Sequence, residues 1–144
     1  MAVGTEGALS IRAANGAQVA TVPYGAGTAR AVALGKTRLA IERTLTLDLY
    51  NPATGAAVKS LPLGSAASLR LVDVSSRLAL LRGPHRLVLV RLSDGKLIAL
   101  ALRTKSHVDA KLTSAGLFYA YNVRRGLAKG RIVFEPTAKL LARF

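Results

Sequence analysis

Few residues of this chain could carry chemistry, and they are widely spread. There are two histidines, His85 and His107, no cysteine, and seven acidic residues in all. A metal site gathers several His, Cys or carboxylate groups. The two imidazoles fall on different segments, so no metal ligand set is expected. Ser106, His107 and Asp109 are the residue types of a nucleophilic triad. Neighbours on one strand or loop do not aim at one point, however, and a triad is defined by geometry. They read as a polar crossover. Glu42 beside Arg43 reads as a surface pair worth about 0–1 kcal/mol. Asp48 and Asp73 flank apolar runs and read as acceptors for backbone N–H groups, and Asp94 as the stabiliser of its own turn. Gly25, Ala26, Gly27 and Thr28 lack the following Lys-Ser/Thr and the helix that a phosphate loop requires. No catalytic, metal-binding or cofactor-binding residue is expected, and no cofactor.

The densest aromatic and basic residues lie together. Tyr119 and Tyr121 are followed by Arg124, Arg125, Lys129 and Arg131. Aromatic faces beside cations can stack and hold single-stranded nucleic acid. The alternative is packing, with Phe118 filling the core and both tyrosines set against a neighbouring unit. The formal net charge of +14 and a pI near 11.3 favour anionic partners through long-range attraction. Yet the charges are scattered, and the 14 arginines to 7 lysines match what a GC-rich genome produces.

The elements that must position these residues are strands. Residues 77–102, RLALLRGPHRLVLVRLSDGKLIALAL, hold apolar runs at 78–81, 87–90 and 97–102. Gly83-Pro84 and Ser93-Asp94-Gly95 divide them. Short runs rich in Val, Ile and Leu and bounded by Gly, Pro and Asp read as strands, and Asp-Gly between two of them signals a hairpin. The runs are continuously apolar, whereas an antiparallel sheet with one wet face alternates. Both faces are therefore expected to be covered. The turns are too short for parallel crossovers. A series of small antiparallel sheets, each packed between two neighbours, satisfies both constraints.

The pattern recurs. Asn15-Gly16, Thr54-Gly55 and Asp94-Gly95 each follow one strand-like run and precede another, about 40 residues apart, which is a propeller-blade period. Thr137-Ala138 occupies the same place once more. The segments LTLDLYNPATGAAVKSLPL, RLVLVRLSDGKLIALAL and RIVFEPTAKLLARF each read strand, polar turn, strand. This chain thus resembles the repeat of the quinoprotein-like and YVTN-type β-propellers over nearly its whole length. In quinone-dependent dehydrogenases of that kind each docking repeat carries a tryptophan. This chain has none, so the resemblance implies no quinone.

On this reading the fold is all-β, a partial propeller of four-stranded antiparallel blades, about three and a half in number. Residues 8–24 form an outer half-blade around Asn15-Gly16, preceded by a loose lead-in over 1–7. Blades follow at 28–63, 67–102 and 108–144, the last ending in a strand over 138–144. Residues 109–114 could instead make one helical turn. Closed propellers need about four to eight blades, so one chain does not complete a ring. It is then part of a longer propeller, an oligomer that pairs exposed edges, or an open stack. The function expected is non-enzymatic, a scaffold with a protein partner or self-association. The alternative is binding of anionic polymers through basic loops, and an enzyme of quinoprotein or lactonase type comes last. No apolar run approaches the ~20 residues of a membrane span. The N-terminus lacks a basic region followed by an apolar one, which for a full chain would mean a cytoplasmic protein.

Overall fold

The computed structural model describes residues 2–5, 7–23, 28–100, 102, 108–122 and 130–144. Four antiparallel meander sheets follow one another along the chain. The first contains β1 (Ala2–Thr5), β2 (Ala8–Arg12) and β3 (Gln18–Pro23). The second contains β4 (Ala31–Leu34), β5 (Leu39–Glu42), β6 (Thr46–Tyr50) and β7 (Ala57–Pro62). A single 3₁₀ turn, Gly64–Ala66, leads to the third. That sheet contains β8 (Arg70–Val74), β9 (Leu78–Arg82), β10 (Leu87–Arg91) and β11 (Leu97–Leu100). The fourth contains β12 (Val108–Leu112), β13 (Gly116–Asn122) and β14 (Gly130–Pro136), with a short helix α1 (Thr137–Leu141) after it. Every described strand pair is antiparallel between sequence neighbours. The first strands of successive sheets also meet, β4 against β8 and β8 against β12.

The apolar runs at 78–81 and 87–90 are buried on two sides, as their lack of alternation requires, whereas β11 in the run at 97–102 is only partly buried. Successive side chains in a strand point to opposite faces, and here each face has its own core. In β5, Leu39 and Ile41 pack with Leu9, Ile11 and Val22 of the first sheet, whereas Ala40 faces the third. In β9, Ala79 and Leu81 join the core shared with the second sheet, and Leu78 and Leu80 that shared with the fourth. The same split divides Val88 and Val90 from Leu87 and Leu89 in β10. All eight of these β9 and β10 residues are 5% exposed or less.

The turn glycines do two jobs. Gly16, Gly55 and Gly95 have positive φ of 84°, 75° and 78°, a conformation that costs other residues a steric clash. Asn15 keeps negative φ, since no described non-glycine residue has positive φ; its side chain accepts from Ala17 N–H at 3.1 Å. Gly55 and Gly95 also abut the outer strand of the preceding sheet. A Cβ on Gly55 would lie 2.1 Å from Thr21 O, and one on Gly95 3.4 Å from Leu61.

Three expectations about secondary structure are corrected. Residues 2–5 are not a lead-in but a strand, in register with β2 from Ala2↔Ile11 to Thr5↔Ala8. They carry no dense apolar signal and are recruited by the free N–H and C=O groups along β2. The segment expected to be a strand over 138–144 begins as α1. Pro136 is its extended N-cap, and Thr-Ala-Lys-Leu-Leu contains mostly good helix formers. Leu140 inserts fully into the last core. Residues 109–114 make no helical turn; through Leu112 they belong to β12, paired with β13.

Polar groups tie the sheets together near their first strands. Glu42 is fully buried and accepts a hydrogen bond from Leu71 N–H at 2.6 Å. Arg30 and Arg70 lie 3.4 and 3.7 Å from its other oxygen. It is thus a bridge between the second and third sheets, not a surface partner of Arg43, which pairs with Asp48 instead. Asp73 accepts from its own strand at Val74 N–H and from Leu112 N–H in the fourth sheet.

Leu89 is fully buried, whereas Leu45 lies before β6 and is 68% exposed. Replacement Leu89→Ala is expected to lower the unfolding free energy by about 2–5 kcal/mol. Leu45→Ala should change it by about 0.5 kcal/mol or less. Urea denaturation of both variants checks this contrast.

Candidate functional site

The aromatic and basic cluster read from the sequence is only partly assembled. Arg124, Arg125 and Lys129 lie outside the described residues, as do Ser106, His107 and residues 25–27. Tyr119 and Tyr121 occupy alternate positions of β13, and their rings stack with centroids 6.1 Å apart. Tyr119 is buried in the core between the third and fourth sheets. Its hydroxyl donates to Glu135 at 3.1 Å, and Arg143 holds the other oxygen of that carboxylate. Burial, then the hydrogen bond to Glu135 and that carboxylate's charge, push the Tyr119 phenol up to about 12. Tyr119 is thus committed to packing and offers no face to a ligand. Tyr121 is half-buried against the same core. Arg131 is exposed and pairs with Tyr121 in register. Both line an open cleft of about 260 Å³ with Asp109, Asn122 and Ile132.

A second cleft, of about 410 Å³, collects cations that are far apart in sequence. Arg38 comes from the β4–β5 turn, Lys59 from β7, Arg77 from the β8–β9 turn and Arg91 from the end of β10. Ser76 and Ser93 add hydroxyls, and Val58, Leu92 and Leu141 supply apolar walls. Lys59 Nζ donates to Ser93 O at 2.7 Å, and Arg38 to Thr37 O at 2.9 Å. Arg91 forks onto Asp94 and lies 5.1 Å from the Phe144 ring centroid. The Arg91 hydrogen bond holds the Asp94 carboxyl well below the usual carboxylate range. Asp94 also accepts from Lys96 N–H, as a turn stabiliser should. Arg38 and Arg77 pair with no carboxylate among the described residues.

Sequence reading missed this cleft, although a signal for part of it exists. Arg38-Leu39 and Arg77-Leu78 stand one repeat apart, each opening the second strand of its sheet. The two arginines are not at equivalent positions of the repeat, but stacked repeats bring the turns that carry them onto one side of the molecule. The cleft has positive charge and hydrogen-bond donors but no imidazole and no nucleophile–base pair. It can hold an anion and has no acid–base machinery.

The remaining candidates serve local structure. His85 is exposed on the Gly83-Pro84 turn, where Gly83 N–H donates to Arg86 O at 2.9 Å. Asp109 accepts from Arg82 at 3.0 Å. Asp48 is clasped by side chains, not backbone: Arg43 and Ser60 both donate to it. Burial pushes the Asp48 carboxyl up, but the Ser60 and Arg43 hydrogen bonds outweigh it and leave the group below its ordinary value. No three His, Asp or Glu side chains among the described residues are placed to hold a metal ion. No helix among them is long and apolar enough to cross a membrane.

No protein-family model matches this chain, and no curated protein matches it. Among solved structures it is similar to the crystal structure of the computationally designed Ika4 protein, at 11% identity and a TM-score of 0.39. That match covers 84% of this chain and 98% of the other. A likeness this remote assigns neither fold nor function.

The Tyr119–Glu135 pair predicts an alkaline transition. Folding favours the neutral phenol, so its contribution is complete below pH 10 and lost as pH rises towards about 12. Urea midpoints measured across that window should fall more steeply for the natural chain than for Tyr119→Phe. Parallel curves would contradict the prediction.

Proposed function

We propose that this chain is a non-enzymatic scaffold of the β-propeller type, acting by association with protein, including further copies of itself. One observation carries the reading. The central strands of the internal sheets are hidden on both faces by their neighbours, whereas the fourth sheet leaves Phe118, Ile132 and Phe134 at 44%, 81% and 45% exposure. Four consecutive meanders, the first strands of the last three adjoining, are in keeping with a run of propeller blades. Propellers host many activities, so the assignment of a scaffold role rests on fold analogy together with the makeup of the clefts. Light scattering over a wide range of protein concentration tests it. The weight-average mass should rise above the 15.1 kDa of one chain. A cooperatively folded monomer at every concentration would overturn the reading.

A second reading is binding of an anionic polymer, and the cleft of Arg38, Lys59, Arg77 and Arg91 favours it. Mobility of random single-stranded DNA should be retarded at low salt and released at high salt. Removing Arg38 and Arg77 should lower the slope of log affinity on log salt by roughly 0.7 per lost phosphate contact. Replacing Arg124 and Arg125 tests the basic loop separately. No retardation at low salt removes this reading.

A further inference from the structure

Backbone contacts set the positions from which the cations of the larger cleft extend. Gly35 N–H donates to Arg38 O at 2.8 Å, which closes the β4–β5 turn. Leu92 N–H donates to Arg77 O at 2.9 Å and holds the β8–β9 turn against the end of β10. Lys59 Nζ, on the second sheet, donates to Ser93 O in the β10–β11 turn of the third. Three separate turns are thus fixed around one concavity before any ligand arrives, which lowers the ordering cost of binding. Its volume of about 410 Å³ lies within the range of roughly 300–1,000 Å³ of small-molecule sites.

The charge of this cleft is unanswered. Arg91 forks onto Asp94 and is neutralised. Among the described residues, however, Arg38 and Lys59 donate to backbone carbonyls alone, and the Arg77 side chain has no hydrogen bond or ion pair. Elsewhere the chain does pair its arginines: Arg43 with Asp48, Arg82 with Asp109 and Arg143 with Glu135. Three cations therefore share a concavity whose described lining contains no acid, and a concave wall of one sign focuses the potential. A phosphodiester within a polymer carries one negative charge, whereas a phosphate monoester carries close to two at neutral pH. Convergent cations answer the second better than a string of single charges. Guanidinium forks match phosphate oxygens in pairs, and a lysine adds a point charge. Ser76 and Ser93 bring further donors, and Val58, Leu92 and Leu141 form aliphatic walls beside them. Those walls suit an apolar body attached to the phosphate and not a second charged group.

We infer that this cleft binds a phosphate monoester in its dianionic form, esterified to a compact apolar group. Arg38, Lys59 and Arg77 hold the phosphate, and Val58, Leu92 and Leu141 cover the apolar group. The inference rests on the anion-binding reading of this cleft and names the class of ligand; it is independent of the scaffold role.

Isothermal titration calorimetry of the full chain with phenyl phosphate tests this. Saturable one-to-one binding is expected. It should be weaker with inorganic phosphate, which lacks the ring, and weaker with methyl phenyl phosphate, a diester of one charge. Arg38→Gln and Arg77→Gln should each lower the affinity for phenyl phosphate about tenfold or more, the worth of a charge-assisted hydrogen bond. Lys111→Gln removes the same charge from an exposed position on β12 and should change little at physiological salt. Val58→Ser should weaken phenyl phosphate and leave inorganic phosphate unaffected. Circular dichroism establishes that each variant is folded, and the comparison of three ligands on the natural chain needs no variant. Equal affinity for phenyl phosphate and inorganic phosphate, or tighter binding of the diester, would overturn the inference. Equal losses from Lys111→Gln and Arg77→Gln would show diffuse attraction and overturn it too. If phenyl phosphate fails to bind to a chain that still retards single-stranded DNA, the inference falls and the anionic-polymer reading stands. If neither binds, both fall.

Discussion

Burial of the central strands of each internal sheet on both faces is the constraint on which the rest depends. A sheet of four short strands is too small to stand alone, and a single dry face adds little. With apolar burial worth about 25 cal/mol per Å², a strand such as β10 contributes twice over. Leu87 and Leu89 enter one core, Val88 and Val90 another. Each core is shared between successive sheets, so no sheet is independent of the next. Stability in such a stack is a sum of repeat and interface contributions. The composition follows: abundant Leu, Val and Ala, few aromatics, and small residues such as Ala33, Ala40 and Ala79 where the sheets come close.

Close packing of sheets strands polar groups between them, and the chain handles this with carboxylates. Glu42 reaches from the second sheet to Leu71 N–H in the third, and Asp73 from the third to Leu112 N–H in the fourth. A buried carboxylate without partners would be costly. Arg30 and Arg70 answer the charge of Glu42. Arg70 stands opposite Arg82 in register, and like charges placed so repel. Glu42 on one side and Asp109 on the other neutralise them. Three of the seven acids, Glu42, Asp73 and Asp109, thus link neighbouring sheets. Arg38 and Arg77, away from those junctions, are left to form the cationic cleft.

The ends of the stack differ from its middle in a way that bears on function. Among the described residues the first sheet shows no counterpart of the innermost strand: its Asn15-Gly16 turn corresponds to the turns between the last two strands of the second and third sheets. Among the described residues the fourth sheet has three strands, and α1 with Phe144 packs against the core it shares with the third sheet. Open ends and a large positive charge pull in different directions, one toward association through apolar faces and the other toward anionic partners. Ionic strength separates them.

What the sequence alone determined was whatever a short stretch decides by its own chemistry. Glycines at Gly16, Gly55 and Gly95 set the turns because only they adopt positive φ without strain. Unalternating runs such as 78–81 and 87–90 announced strands covered on both faces, because a wet face would have demanded polar residues. Tertiary structure decided whatever depends on a partner distant along the chain. Ala2–Thr5 became a strand because β2 offered an unpaired edge. Thr137–Leu141 became a helix, with Leu140 filling the last core. Glu42 became a buried bridge and not a surface acid, because its partners Leu71, Arg30 and Arg70 arrive from other strands. Tyr119 was withdrawn from any ligand by Glu135, and four scattered cations became one cleft only when the sheets stacked. Desolvation and charge pairing act through space, and their outcome is set by which residues the fold makes neighbours.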